Sequence, residues 1–223
     1  MIAAHPDDIE SWCAGTLARM IDAGVPVDCL LVTSGDKGSD DPRLTSEQVA
    51  ALREAEQHEA GRRLGARDTF FLRHLDGELE DTRVLREQVV RSLRRLRPEI
   101  VFTHDPERPY PPYTTHRDHR VVGRVVLDAI YPSARDWRSF PEHRAIGLEP
   151  HAVRRAWLFS SAAPDTWVDI AAGFERKVAA RLAHASQTAD PDALGADWRE
   201  RAAQIGAPVG LPLAEAFVVL HFD

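Results

Sequence analysis

Two short stretches of the chain concentrate the residue types that bind metals and move protons. HPDD occupies residues 5–8, directly after the opening apolar residues, and HRDH occupies residues 116–119. Imidazole and carboxylate groups are ligands that a divalent metal such as zinc takes in proteins. Each stretch also has an ordinary structural explanation, because aspartate caps helices and acidic groups favour the positive end of a helix dipole.

The elements around these stretches indicate how they come together. MIAA, VPVDCLLVT, DTFFL and EIVFTH are apolar runs typical of strands, and helical patterns separate them. Such alternation predicts a parallel sheet with right-handed crossovers and helices on both faces. Polar residues follow each of these strands, so titratable side chains collect at the carboxyl ends of the strands, where open α/β sheets bind ligands.

At that edge the two stretches favour a metal site over two unrelated caps. His116 and His119 are three residues apart and therefore share one face if they open a helix. They join His5, Asp7 and Asp8 at the same end of the predicted sheet. No Gly-x-Gly-x-x-Gly follows the first strand, which disfavours a dinucleotide site.

Composition excludes some classes of protein. The chain has 223 residues, of which 43% are hydrophobic and 28% charged, and we expect one globular domain over residues 1–223. The formal net charge of −7 argues against a nucleic-acid partner, and the basic run RSLRRLRPE is interpreted as a solvated helix face. With no leader or membrane span in the pattern, and with Cys13 and Cys29 expected to be core thiols, we expect a cytoplasmic protein.

The second half of the chain has a looser pattern. RRAWLFSS, TWVDI and EAFVVLHF are expected to be further strands, and AAGFERKVAARLAHAS and ALGADWRERAAQIG to be helices. Residues 132–150 are irregular, and we interpret them as a loop excursion rather than a domain boundary.

The ordered blocks AHPDDIE, VTSGDKGS, LREAEQHEAGRRLG, LDGEL and HRDH resemble the PIG-L/LmbE-like family. That family includes deacetylases of N-acetylglucosaminyl-phosphatidylinositol and of mycothiol and bacillithiol synthesis. The resemblance implies an α/β, Rossmann-like three-layer sandwich with a mostly parallel central sheet. It also implies a zinc-dependent hydrolase that removes the N-acetyl group from an N-acetylglucosamine-type sugar or a glycosylated small metabolite.

The resemblance further implies roles for individual residues. Asp7 matches the general base, and His116, with Asp118 behind it, would stabilise the oxyanion and protonate the departing amine. The residues that match the family's zinc ligands are His5, Asp8 and His119.

Other residues are candidates for contact with the substrate. Arg53 is expected to hold a sugar hydroxyl or phosphate, or else to form a surface ion pair. Asp76 is expected to accept a hydrogen bond from a sugar hydroxyl, or else to be a turn residue before a glycine. Ser34 and Asp36 are expected to rim the pocket, and Trp12, where relatives often carry glycine, to line and narrow its floor.

The remaining family blocks give weaker expectations. His184 and Glu215 match later blocks, and we expect them to pack or to cap. Tyr110 and Tyr113 lie in a proline-rich stretch beside the site and are expected to form a lid. The chain has HPDDIE where many members have HPDDE, so the role of Glu10 stays open.

Two other functions remain as alternatives. One is an amidase that cleaves another amide, such as a thiol conjugate, with the same residues. The other is a non-catalytic metal-binding module, against which the pair Asp7 and His116 argues. The expected partner is a small glycoside or sugar-containing metabolite, and a homo-oligomer is left open.

Overall fold

The computed structural model describes residues 1–108 and 116–222 of the chain. The strands in these ranges are β1 (Ile2–Ala3), β2 (Asp28–Thr33), β3 (Asp68–His74), β4 (Ile100–His104), β5 (Arg155–Phe159), β6 (Thr166–Asp169) and β7 (Ala214–His221). The α-helices are α1 (Asp8–Trp12), α2 (Ala14–Asp22), α3 (Ser46–Leu64), α4 (Arg83–Leu96), α5 (Arg117–Ile130), α6 (Phe174–Arg181) and α7 (Pro191–Gly206). Within these ranges, no helix is both long and apolar enough to cross a membrane.

The strands form an α/β architecture in which most pairings are parallel. One sheet has the order β1-β2-β3, with both pairs parallel. The other has the order β4-β5-β7-β6, in which β4 and β5 are parallel and β7 runs antiparallel to both of its neighbours. The first half thus follows the predicted alternation of strand and helix, and the Rossmann-like fold class is confirmed.

Helices pack on both faces of the sheet. Successive side chains of a strand point to opposite faces, so apolar residues on each face can be buried by a helix. On β2, Leu30 and Val32 pack in a core cluster with the apolar faces of α4 and α5. Cys29 and Leu31 pack in a second cluster with residues of α1, α2 and α6. Both cysteines are buried and free, as expected of core thiols.

Local signals set most helix ends. Thr45 and Gln48 form the predicted capping box at the start of α3, and Gly65 ends that helix with a φ of 89°. The region after β1 differs from its sequence pattern, in which CAGTLARMIDAG predicts one helix from Cys13, because a short helix α1 begins already at Asp8 and the helical conformation breaks at Cys13 before α2. The break leaves the first N–H groups of α2 free to donate to a carboxylate from the distant strand β7.

The basic run on α4 is only partly a solvated face. Arg94 is buried, so the expectation is wrong at this position. Its guanidinium fastens the irregular stretch 132–150 to α4, since a buried guanidinium must find acceptors for its donors. Those acceptors are the backbone carbonyls of Ser133, Ala134, Asp136, Ser139 and Phe140.

Candidate metal centre

Three donor side chains from the two sequence stretches meet beyond the carboxyl end of β1. Nδ1 of His5 lies 3.2 Å from Nε2 of His119 and 3.5 Å from Oδ2 of Asp8. Nε2 of His119 lies 3.2 Å from Oδ1 of Asp8. Ligand atoms bound tetrahedrally to zinc at about 2.0–2.1 Å stand roughly 3.3 Å apart. Each pair of these side chains therefore offers atoms at about the separation of zinc ligands, and Asp8 makes its two contacts with different oxygens.

Two carboxylates hold the other ring nitrogen of His5. Nε2 of His5 lies 3.0 Å from Oδ1 of Asp76 and 3.1 Å from Oδ2 of Asp118. Oδ2 of Asp118 also accepts the Gly77 N–H at 2.7 Å, and the Asp76 N–H donates to Oδ1 of Asp36 at 2.8 Å. Carboxylates on the far nitrogen fix the orientation of a metal-binding imidazole. Asp76 and Asp118 are thus placed to turn Nδ1 of His5 toward the donor cluster.

His116 stands at the rim of the cluster. It is the N-cap residue of α5, it is exposed, and its ring centre lies 4.8 Å from that of His5 and 5.4 Å from that of His119. Its Nδ1 accepts the backbone N–H of Asp118 at 3.2 Å. The Asp118 carboxylate, expected behind His116, makes its hydrogen bond to His5 and acts on His116 through longer-range attraction.

His104 belongs to the cluster, and the motifs did not reveal it. It ends β4, stacks on His119 with ring centres 4.1 Å apart, and brings Nε2 within 3.4 Å of Oδ2 of Asp8. The same Nε2 accepts the Ala4 N–H at 3.1 Å, and burial lowers the pKa of His104 to about 4. A Cβ at Gly123 would lie 2.5 Å from the His104 carbonyl oxygen, so the glycine allows this close approach of α5. The only signal in the sequence is the position of His104 at the carboxyl end of a strand.

The imidazoles and carboxylates of the cluster shift one another's pKa values. Burial alone would raise the pKa of Asp8, but His119 and His104 hold it well below its usual range. Burial alone would lower the pKa of His5, but the surrounding carboxylates, Asp118 foremost, raise it well above its usual range. Imidazoles and carboxylates thus compensate each other in a place from which water is largely excluded.

Asp7 has a different environment from its neighbour. It is the N-cap residue of α1 with a left-handed φ of 84°, a conformation that costs a residue other than glycine about 1–3 kcal/mol. Its N–H donates to Oε1 of Gln57 at 3.0 Å, and its carboxylate lies 3.6 Å from Arg181 and 4.0 Å from Arg53. Burial, followed by repulsion from Asp8, raises the pKa of Asp7 despite the two arginines.

A buried polar chain stands behind Asp7. Gln57, which holds the Asp7 N–H, donates from Nε2 to Oε1 of Glu10 at 3.0 Å. Oε2 of Glu10 lies 3.2 Å from Nε2 of His184, and all three of these side chains belong to fully buried residues. Glu10 therefore supports the HPDD turn from within the core, and His184 packs there as expected.

Arg53 and Ser34 form hydrogen bonds with other residues of the protein. Arg53 is buried and donates to the carbonyls of Gly35 at 3.0 Å and Pro6 at 2.8 Å, so the surface ion pair considered for it is not formed. It ties the HPDD turn to the loop after β2. Ser34 is buried as well, and its hydroxyl donates to Glu54 at 2.5 Å.

The remaining candidates have mixed outcomes. Trp12 lines a cavity of about 410 Å³, and none of the donor residues His5, Asp8 and His119 is among the residues that line it. Glu215 caps as expected, because its carboxylate accepts two N–H groups at the start of α2. The lid expected of Tyr110 and Tyr113 lies outside the described residues.

Comparison with known proteins gives consistent matches. Residues 1–130 match the model of the family described as PIG-L, GlcNAc-PI de-N-acetylase. The chain is 33% identical over 187 residues to diacetylchitobiose deacetylase of Thermococcus kodakarensis, a match that covers 83% of this chain and 68% of the relative. It resembles the structure of N,N'-diacetylchitobiose deacetylase from Pyrococcus horikoshii in complex with its inhibitor MPG. There the TM-score is 0.89 at 30% identity, over 99% of this chain and 82% of the other.

A third similarity concerns the fold alone. The structure of the 4-carboxy-2-hydroxymuconate hydratase from Pseudomonas putida KT2440 has a TM-score of 0.82 to this chain at only 20% identity. The match covers 100% of this chain and 95% of the hydratase. The architecture is therefore shared by enzymes with different reactions, and the residues at the site must carry the functional argument.

Proposed function

Because this chain belongs to the GlcNAc-PI de-N-acetylase (PIG-L) family, we propose that it hydrolyses the acetamide of an N-acetylglucosamine-type sugar. The observation that carries this proposal is the convergence of the side chains of His5, Asp8 and His119, which contact one another pairwise at 3.2–3.5 Å, Asp8 through both of its oxygens. The two deacetylases that resemble this chain are named for an acetylated amino-sugar substrate, which supports the same substrate class here.

We propose Zn²⁺ as the metal and His5, Asp8 and His119 as its ligands. Two imidazoles and one carboxylate leave a coordination position open, as catalytic zinc sites do. A second possible donor set replaces His5 by His104, but Nε2 of His104 already accepts the Ala4 N–H. When bound, the metal would supply Lewis-acid activation of water and of the amide carbonyl.

Asp7 and His116 would carry the protons of the reaction. Asp7 would accept a proton from the attacking water, a role that suits a carboxylate whose pKa is raised toward the working pH. His116, at the exposed rim, would stabilise the developing oxyanion and donate a proton to the departing amine. Asp76 and Asp118 would act through His5, whose ring they orient.

Release of acetate tests the proposal directly. Zinc-loaded protein would be incubated with N-acetylglucosamine, N,N'-diacetylchitobiose, simple N-acetylglucosaminides and an amide of a thiol conjugate, with His119→Ala as the inactive control. We expect acetate and a free amino sugar from at least one acetylated sugar. Turnover of the thiol-conjugate amide alone would favour the amidase alternative. A protein that holds one metal per chain and cleaves none of them would contradict the proposal.

A further inference from the structure

The cavity that Trp12 lines lies close to the donor cluster. It has a volume of about 410 Å³ and is bordered by α1, α7 and the ends of β5 and β7, with Trp12, Trp167 and Trp198 among its walls. Trp12 ends α1, the helix that begins at Asp8, so one short helix joins the cavity to the cluster. Four residues of helix rise about 6 Å, a distance that a small molecule can span.

Two arginines in this cavity lie over the same aromatic ring. The guanidinium carbon of Arg201 is 4.5 Å from the centre of the Trp12 ring, and that of Arg108 is 5.5 Å from it. Among the residues that the structure describes, no carboxylate forms an ion pair with either arginine. Partial loss of hydration against the cavity walls, reinforced by repulsion from Arg108, lowers the pKa of Arg201, a residue that still reaches solvent.

The other charged groups nearby are already compensated. Lys177, which also lines the cavity, pairs with Glu215 at 2.6 Å, and Glu215 in addition caps the start of α2. Asp105 attracts Arg108 only at longer range, and its carboxylate accepts the Glu107 N–H at 2.9 Å. The cavity therefore keeps an excess of positive charge in a chain whose formal net charge is −7.

A strained residue fixes one of the two arginines. Ser160, directly after β5, has a φ of 61°, which is unfavourable for a residue with a side chain. Its carbonyl accepts from Arg108 at 2.6 Å, and its hydroxyl accepts from the same guanidinium nitrogen. Arg108 is thereby held beside the cavity, which reduces the entropy that a ligand would cost on binding.

We propose that this cavity binds an anionic group, a phosphate or a carboxylate, between Arg108 and Arg201. Guanidinium groups bind such anions with paired, charge-assisted hydrogen bonds, and the Trp12 ring offers an apolar wall to the rest of the ligand. The anion can be free in solution or part of the sugar substrate. Only the second of these sources rests on the proposed deacetylase function.

Calorimetric titration with inorganic phosphate tests the site without any need for turnover. Zinc-loaded wild-type protein would be compared with Arg108→Gln and Arg201→Gln, and with Arg199→Gln as the control. Arg199 lies on the same helix as Arg201 but pairs with Glu175 at 2.5 Å. Any phosphate bound at the metal is common to all four proteins, so differences between them report on the cavity.

We expect the dissociation constant for phosphate to rise about tenfold or more in Arg108→Gln and Arg201→Gln and to stay unchanged in Arg199→Gln. Circular dichroism would confirm that each variant is folded, which is expected at least for Arg201 because it is exposed. An equal dissociation constant in wild type and in both cavity variants would overturn the proposal.

A kinetic comparison identifies the source of the anion. Acetate release from N-acetylglucosamine 1-phosphate would be compared with release from N-acetylglucosamine. A preference for the phosphorylated sugar that falls in Arg201→Gln assigns the anion to the substrate. If phosphate binds at the cavity but the enzyme shows no such preference, the ligand of the cavity is an anion free in solution. If no acetate is released from either sugar, the proposed deacetylase function is contradicted. The phosphate titration then remains the test of anion binding in the cavity.

Discussion

Asp118 acts on His5, and this contact gives a prediction at the scale of one residue. Its carboxylate meets Nε2 of His5 at 3.1 Å and is fully buried. Asp118→Asn should weaken zinc binding by about 10–100-fold, because the amide holds the imidazole less well in its metal-binding orientation. Zinc affinity measured by competition with a chelating dye checks this. Asp128→Asn, on the exposed side of the same helix, is the control, and equal affinities in the two variants would contradict the account.

Gln57 gives a second prediction at this scale. Replacing it by alanine leaves Oε1 of the buried Glu10 and the Asp7 N–H without this partner. Gln57→Ala should lower the free energy of unfolding by about 1–3 kcal/mol, the cost of leaving buried polar groups unpaired. Urea denaturation gives the value, with the exposed Gln204→Ala as a variant that should change little. A loss no greater than that of Gln204→Ala would show that the buried chain does not support the turn.

The sequence indicated the candidate metal-binding and proton-transfer residues better than the residues that position them. His5, Asp7, Asp8, His116 and His119 stood out because local spacing carries their chemistry. Gln57 and Glu10 have no such local signal, since they are 47 residues apart and meet only when α3 packs beside α1. The contact of Asp118 with His5 has no local signal for the same reason, because it joins residues 113 positions apart.

At the scale of elements, Arg94 decides how the irregular stretch 132–150 is attached. Arg94→Leu removes the donor shared by several buried carbonyls and should lower the free energy of unfolding by at least about 3 kcal/mol. The neighbouring Arg95 is exposed, so Arg95→Leu should change the free energy by less than about 0.5 kcal/mol. Urea denaturation of both variants makes the comparison. Equal effects would mean that the buried guanidinium contributes nothing to this attachment.

Most elements could be predicted from periodicity and caps, as the capping box of α3 shows. The short helix α1 ahead of Cys13 was not among the predicted elements. The start of α2 contacts Glu215, a residue of β7 about 200 positions away in the chain, whose carboxylate accepts the Gly15 N–H at 3.0 Å. A partner from the far end of the chain gives no signal in a local window of the sequence.

At the scale of the whole molecule, the last strand takes part in holding the helices that follow the first motif. β7 pairs with β5 and β6, and Glu215 joins it to α2 and to Lys177 on α6. We therefore propose that residues 1–223 act as one domain. Because the same architecture also occurs in a hydratase, the fold alone does not define the reaction. We propose that the adjacent aspartates of the HPDD turn define it, with Asp8 as a metal ligand and Asp7 as the general base.

Metal content and acetate-release kinetics of Asp7→Asn and Asp8→Asn test this assignment most directly. Asp7→Asn should keep about one metal per chain, the number of a single three-ligand site, and lose on the order of 10²–10⁴-fold in turnover, because asparagine cannot accept the proton. Asp8→Asn should lose the metal, since its carboxylate faces both His5 and His119. Loss of the metal from Asp7→Asn with retention in Asp8→Asn, or full activity of Asp7→Asn, would contradict the account.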